Sequence, residues 1–325
     1  MLDFTTTHRL GLGLAALGRP GYINLGHAAD LGHAYTVEAM QAHAFSVLDA
    51  ACAGGVRYFD AARSYGRAEE FLGNWLHTRA IAPAAVTVGS KWGYTYTAGW
   101  QVQAAKHEVK EHSLPMLQAQ WQTSQQQLGN YLRLYQIHSA TLESGVLTNA
   151  AVLNQLAQIK GAGVAIGLSL SGAQQAATLA HALTVKVDGR RLFDCVQATW
   201  NLLEPSAGEM LSNAHAAGLR VIVKEALANG RLTTRNQSPA FAPKLALLQA
   251  QADRLRTTVD ALALAAVLAQ PWATIVLSGA STAEQLQANL QALQVEWDAE
   301  AAHTLGTLAE APEEYWSTRS QLAWN

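Results

Sequence analysis

The chain has 325 residues, half of them hydrophobic and only 14% charged, with a formal charge of -2 at pH 7. So low a charge content, against about 25% in an average domain, argues for a large buried core, and the near-neutral balance gives no electrostatic reason to expect nucleic acid or an anionic membrane as partner. Two cysteines are too few for a disulfide framework, the N-terminus lacks a signal-peptide layout, and no apolar run reaches the roughly 18 residues of a membrane span, so a soluble, cytoplasmic protein with reduced thiols at Cys52 and Cys195 is expected.

Short apolar runs alternate with longer helical patterns along the chain. Leu10–Leu14 reads as a first strand, followed by a Gly/Pro/Asn-rich loop through Gly32. Over Thr36–Ala53 the apolar residues Val37, Met40, Ala44, Val47, Leu48 and Ala51 recur at helical spacing, and Gly54-Gly55 ends the helix. Tyr58–Asp60 is a second strand with its helix over Ala68–Thr78, and Val86–Lys91 a third. Residues 92–112 read as a long connection rich in Trp and Tyr, before a helix over Leu114–Leu128. Leu132–His138 is a fourth strand with a helix near Ala150–Lys160; Ala165–Leu168, Cys195–Ala198, Arg220–Lys224 and Thr274–Leu277 are the fifth to eighth. Helices over Ala283–Leu293 and Ala299–Leu308 close the chain.

Eight strand–helix units without a linker fit one (β/α)8 TIM barrel, an α/β fold that takes about 250 residues or more. Parallel strands buried on both faces read as apolar runs without alternation, as these do. The competing open doubly wound sheet lacks its glycine turn: Gly11-Leu-Gly13-Leu-Ala has the wrong spacing and no suitably placed acid follows. No His-x-x-x-His or His/Cys cluster has metal-site spacing; His107 and His112 are expected to face solvent.

Barrel chemistry sits at the C-terminal ends of strands. Asp60, Lys91 and His138 stand at three consecutive such ends, and Tyr65 just past the first. An unperturbed phenol, with a pKa of about 10, is a poor acid near neutrality. A neighbouring ammonium should lower it, a carboxylate should hold that ammonium, and an imidazole could orient a carbonyl oxygen. This set protonates an oxygen that gains charge but supplies no hydride, so a cofactor is implied.

The stretch Asp60-Ala-Ala-Arg-Ser-Tyr65-Gly-Arg-Ala-Glu69 resembles a signature of the aldo-keto reductases, Asp-x-Ala-x-x-Tyr-Gly-x-[Ala/Ser]-Glu. Val88-Gly-Ser-Lys91-Trp-Gly and Tyr131-Leu-Arg-Leu-Tyr-Gln-Ile-His138 resemble the family's third and fourth strands, with Arg133 where Asp is usual. The resemblance implies Tyr65 as general acid, Asp60 and Lys91 tuning it, and His138 orienting an aldehyde or ketone. It further implies NADP(H) as cofactor, held by Gly13 and Leu14, by Ser169 and Gln197 at the carboxamide, by Lys224 and Glu225, by Leu227, Asn229 and Gly230, and by Gly279, Ala280, Ser281, Gln285 and Asn289. Trp92 is the expected substrate contact. Gly279 and Gln285 occupy positions often basic in NADP-using members, which leaves NAD(H) open. Leu170 stands where the family has Asn, and Lys224 where an aromatic commonly stacks on the nicotinamide; Lys224 is then either a phosphate ligand or half of an ion pair. The rival expectations are a cofactor-binding sensor on the same barrel and an unrelated barrel lyase or isomerase. A monomer or weak oligomer acting on a small carbonyl or alcohol is expected.

Overall fold

The computed structural model describes Phe4 and residues 8–325. The apolar runs form β1 (Leu10–Gly13), β2 (Tyr58–Asp60), β3 (Thr87–Trp92), β4 (Leu132–Ala140), β5 (Ala165–Leu170), β6 (Cys195–Thr199), β7 (Arg220–Lys224) and β8 (Ile275–Ser278). All eight pair in parallel, in the order β1-β8-β7-β6-β5-β4-β3-β2, and the sheet closes on itself with helices between successive strands. This is a (β/α)8 barrel.

Side chains alternate across each strand, so every second residue enters the lumen. Tyr58, Leu134, Cys195, Ile222, Ile275 and Leu277 pack there as one cluster, with Phe4 edge-on to Tyr58 at 5.2 Å. The intervening residues, such as Phe59, Val88, Tyr135 and Val196, join the larger core beneath the helices. Each such side chain, fully buried, stabilises by about 1.5–3 kcal/mol. The helix Val259–Leu268 is apolar all round and lies inside the packing: only Asp260 of its residues is not fully buried.

Polar caps fix where helices begin. Thr36, Ser113, Asn149, Thr258, Thr282 and Asp298 each accept a backbone N–H in the first turn of the helix they precede. Such a cap contributes about 1 kcal/mol.

The structure adds elements to those expected. The connection 92–112 contains an antiparallel hairpin, Tyr94–Tyr96 with Glu108–Lys110, and the loop after β1 contains a single-turn helix, His27–Asp30. Helices Gly208–Ala216 and Pro312–Ser320 are also present, and the helix from Ala283 ends at Leu290 in a 3-10 turn, Gln291–Gln294. No described helix is long and apolar enough to cross a membrane.

Candidate active site

The lumen parity that buries Tyr58 and Leu134 also sends Asp60, Lys91, Gln136, His138 and Gln197 inward, one strand beside the next at the C-terminal end. Asp60 is 1% exposed and is the hub. Its Oδ1 accepts from the Lys91 ammonium; its Oδ2 accepts from Tyr58 O–H at 2.9 Å, Gln197 Nε2 at 2.9 Å and Gln136 Nε2 at 3.4 Å. Lys91, fully buried, spends its remaining protons on the Ala61 carbonyl at 3.0 Å and the Tyr65 hydroxyl at 3.3 Å. Three acceptors for three N–H groups offset the cost of burying the charge. Gly89 makes room: a Cβ there would meet the Tyr58 hydroxyl at 2.3 Å.

Tyr65 lies in the turn between β2 and the helix Ala68–Thr78. The loop after β1 clamps that turn, because Arg67 N–H donates to the Gly18 carbonyl at 2.7 Å and a Cβ on Gly18 would strike the Tyr65 carbonyl at 2.2 Å. Burial and the Asp60 carboxylate push the Tyr65 phenol well above its ordinary range, with Arg19 opposing. The sequence suggests the contrary direction, through Lys91; desolvation outweighs it. Burial, then Lys91 and Lys224, hold His138 well below the ordinary imidazole range, so its ring is neutral at pH 7. Its Nδ1 faces Ser64 Oγ at 3.4 Å and its ring stands edge-on to Tyr65, centroids 5.5 Å apart. Neither outlying histidine simply faces solvent: His112 Nε2 contacts the His138 carbonyl oxygen at 2.9 Å, and His107 stacks on Trp324 at 3.7 Å.

A cavity of about 340 Å³ opens above these residues. Asp60, Tyr65, His138, Gln197 and Gly13 line its floor. Lys224, Glu225, Leu227, Asn229 and Gly230 line one wall, and Gly279, Ala280, Ser281, Gln285 and Asn289 the far arm. Lys91 lies behind Tyr65. Three further expected residues do not line the cavity. Trp92 is fully buried on the helix side of β3, one position out of phase with Lys91, and packs against His112. Leu14 is fully buried in the core. Ser169 is buried with its Oγ accepting Ser139 N–H at 2.8 Å; Ser171 lines the cavity instead.

Lys224 donates to Thr199 Oγ1 at 2.8 Å and lies 3.5 Å from Glu225, which Arg319 from the last helix also grips. Burial lowers Lys224 to about 8, with Glu225 opposing. The ion-pair alternative is therefore the contact present. Five wall residues carry no motif in the sequence: Arg19, Tyr22, Tyr94, Glu108 and Trp324. Arg19 bonds Glu108 at 3.0 Å, and its guanidinium lies over the rings of Tyr22, Tyr65 and Trp324. Arg19 and Tyr22 lie in the Gly/Pro loop after β1, Tyr94 and Glu108 in the connection 92–112, and Trp324 at the far end of the chain. Cys52 is half-buried and Cys195 buried, both as free thiols.

A parallel barrel with its polar cluster and cavity at the C-terminal mouth is the layout of a barrel enzyme. The sequence profile described as the aldo/keto reductase family matches residues 9–310. The chain belongs to that family. The uncharacterized oxidoreductase YqkF of Bacillus subtilis is 25% identical over 269 residues, 77% of this chain and 81% of its own. Among solved structures, the holo form of aldo-keto reductase AKR11C1 from Bacillus halodurans superposes with a TM-score of 0.70 at 20% identity, covering 96% of both chains. PA4992, a putative aldo-keto reductase from Pseudomonas aeruginosa, gives 0.60 at 23% identity over 88% of this chain and 90% of its own. These two similarities bear on the fold.

Proposed function

We propose that the protein interconverts an aldehyde or ketone and the corresponding alcohol with a nicotinamide cofactor, Tyr65 serving as general acid and base. The observation that carries this is the stacking of Asp60, Lys91 and Tyr65 in one hydrogen-bonded line beneath His138, on the floor of the cavity. The cavity suits an elongated polar ligand. It runs from Tyr65 to Asn289, and its walls hold buried polar atoms that make no well-aligned protein bond, Arg19 Nε, Asn229 Oδ1 and Gln285 Nε2.

When bound, the nicotinamide supplies the hydride or accepts it. The chain's own residues act on the oxygen. With Ser64 O–H donating to Nδ1, the neutral His138 ring carries its proton on Nε2 and can donate it to a carbonyl oxygen. Tyr65, kept protonated by burial, gives its proton as that oxygen gains charge. The resulting phenolate is stabilised by the Lys91 ammonium 3.3 Å away. Oxidation of an alcohol runs the same proton transfer in reverse. Arg19, Tyr22 and Trp324 stand beside Tyr65 and would shape which carbonyl compound enters.

Tyr65→Phe should lower turnover about 10²–10⁴-fold across a panel of aldehydes, the usual worth of a positioned acid. Cofactor affinity, followed by tryptophan quenching, should stay within about twofold, because the phenol oxygen alone is removed. Undiminished turnover would refute the assignment.

A further inference from the structure

We infer that the far arm of the cavity selects NAD(H) against NADP(H), and that Asp30 is the residue that does so. The inference rests on the nicotinamide-dependent reading above and deepens it.

Asp30 ends the single-turn helix His27–Asp30 in the loop after β1, yet it works on the opposite side of the mouth. Arg235 grips it with both terminal nitrogens, at 2.8 and 2.7 Å, and Ser281 Oγ donates to it at 2.6 Å. The loop is fixed there by Leu25 N–H on the Asn229 carbonyl at 3.1 Å and by Arg235 on the Leu25 carbonyl at 3.2 Å. Asp30, Arg235, Ser281, Gln285 and Asp260 all line this arm.

Its charge is wrong for a phosphate. A phosphomonoester carries a charge near -2 and is best held by a free guanidinium fork. Among the described residues of this arm the one cation is Arg235, and its fork is already spent on Asp30. Two carboxylates, Asp30 and Asp260, stand against that one cation, which leaves the arm net negative. Gly279 and Gln285, which also line the arm, add no charge.

Its hydrogen-bonding capacity suits a ribose carrying free hydroxyls. Asp30 Oδ1 receives only the Arg235 bond and can accept a further O–H. Asn229 is 5% exposed and its Oδ1 has no protein partner; Gln285 Nε2 is a buried donor beside the Asp30 carboxylate that makes no well-aligned bond. A hydroxyl both donates and accepts, so this acceptor and this donor match it. A phosphate oxygen can only accept, and meets a carbonyl oxygen and two carboxylates. An acid that accepts the ribose 2′-hydroxyl is the general physical basis of NAD selection over its 2′-phosphorylated counterpart.

The test is a tryptophan-quenching titration of the whole protein, which has nine tryptophans, with NADH and separately with NADPH. NADH should bind at least about tenfold more tightly. In Asp30→Ser the Arg235 fork is released, so NADPH should gain about tenfold and the preference should narrow or invert. NADPH binding as tightly as NADH to the wild-type protein overturns the inference and leaves the proposed function standing. Binding of neither overturns the proposed function itself. A wild-type preference for NADH that Asp30→Ser leaves unaltered removes Asp30 from the selection. Should that variant not fold, Asp30→Asn keeps the shape while weakening the hold on Arg235, and the same narrowing is read from it.

Discussion

Asp60 carries more of the site than its place at the end of a three-residue strand suggests. Four donors converge on one carboxylate, and the Lys91 ammonium beneath Tyr65 has no other anionic contact among the described residues. Asn in its place keeps the volume but removes the charge, which leaves a fully buried ammonium facing an amide. Breaking a buried pair from one side costs about 3–5 kcal/mol, because the surviving charge stays desolvated. Asp60→Asn should therefore lower both the urea-unfolding free energy by about that amount and turnover by about 10²-fold or more. A variant that loses activity at full stability would show instead that the carboxylate acts on the chemistry alone. Tyr58 and Gln136 belong to the same network. Both donate to Asp60 Oδ2.

The turn that presents Tyr65 is held from the far end of its own motif. Glu69, in the first turn of the helix Ala68–Thr78, is 1% exposed; it pairs with Arg63 and accepts from Ser90 and Ser124, the latter at 2.7 Å. It ties the turn to β3 and to the helix Leu114–Leu128. Glu69→Ala should cost about 3 kcal/mol, the price of orphaning buried donors and a half-buried guanidinium. In an isothermal urea titration the midpoint should fall with an unchanged slope; an unmoved midpoint would deny Glu69 this role. The barrel strands were legible because burial on both faces leaves only apolar runs, and their limits shift by one or two residues at most. Trp92 is turned away from Lys91 by the two-residue alternation, which a run of aromatics hides in the sequence. The hairpin in 92–112 has polar strands and an eleven-residue connection (residues 97–107) rather than a tight turn, so no local signal marks it. The helix Pro312–Ser320 buries only Tyr315, too little for an apolar periodicity. Arg19 and Trp324 meet only in three dimensions, 4.8 Å apart across nearly the whole chain.

At the scale of the molecule, three histidines, His27 and His138 buried and His112 half-buried, are held uncharged around the mouth, and they set how stability responds to acid. Burial lowers His27 and His112 to about 4 and His138 well below its ordinary value. Near pH 5 the unfolded chain holds protons on these rings that the folded protein does not, so stability rises with pH across that range. Their contribution is complete above the unfolded value of about 6.5 and is lost as pH falls toward 4. By pH 5 a ring such as His27 forfeits about 2 kcal/mol. Glu225 acts lower down: Arg319 and Lys224, outweighing burial, hold it at about 2, so its stabilisation is lost only below pH 4.5. Glu204 and Asp260, whose carboxyls burial raises, oppose the trend near its lower end. The urea midpoint should thus fall steadily from pH 7 to pH 5, before the paired carboxylates titrate. His27 is the ring to test, since it is fully buried and neither nitrogen makes a well-aligned hydrogen bond, the Arg19 backbone lying beside the ring. His27→Phe should keep about 2 kcal/mol more of its pH 7 stability at pH 5 than the wild type does. A wild-type midpoint that stays flat over this range would mean that the rings take up protons alike in the folded and the unfolded chain, so burial would not be what keeps His138 neutral above Tyr65.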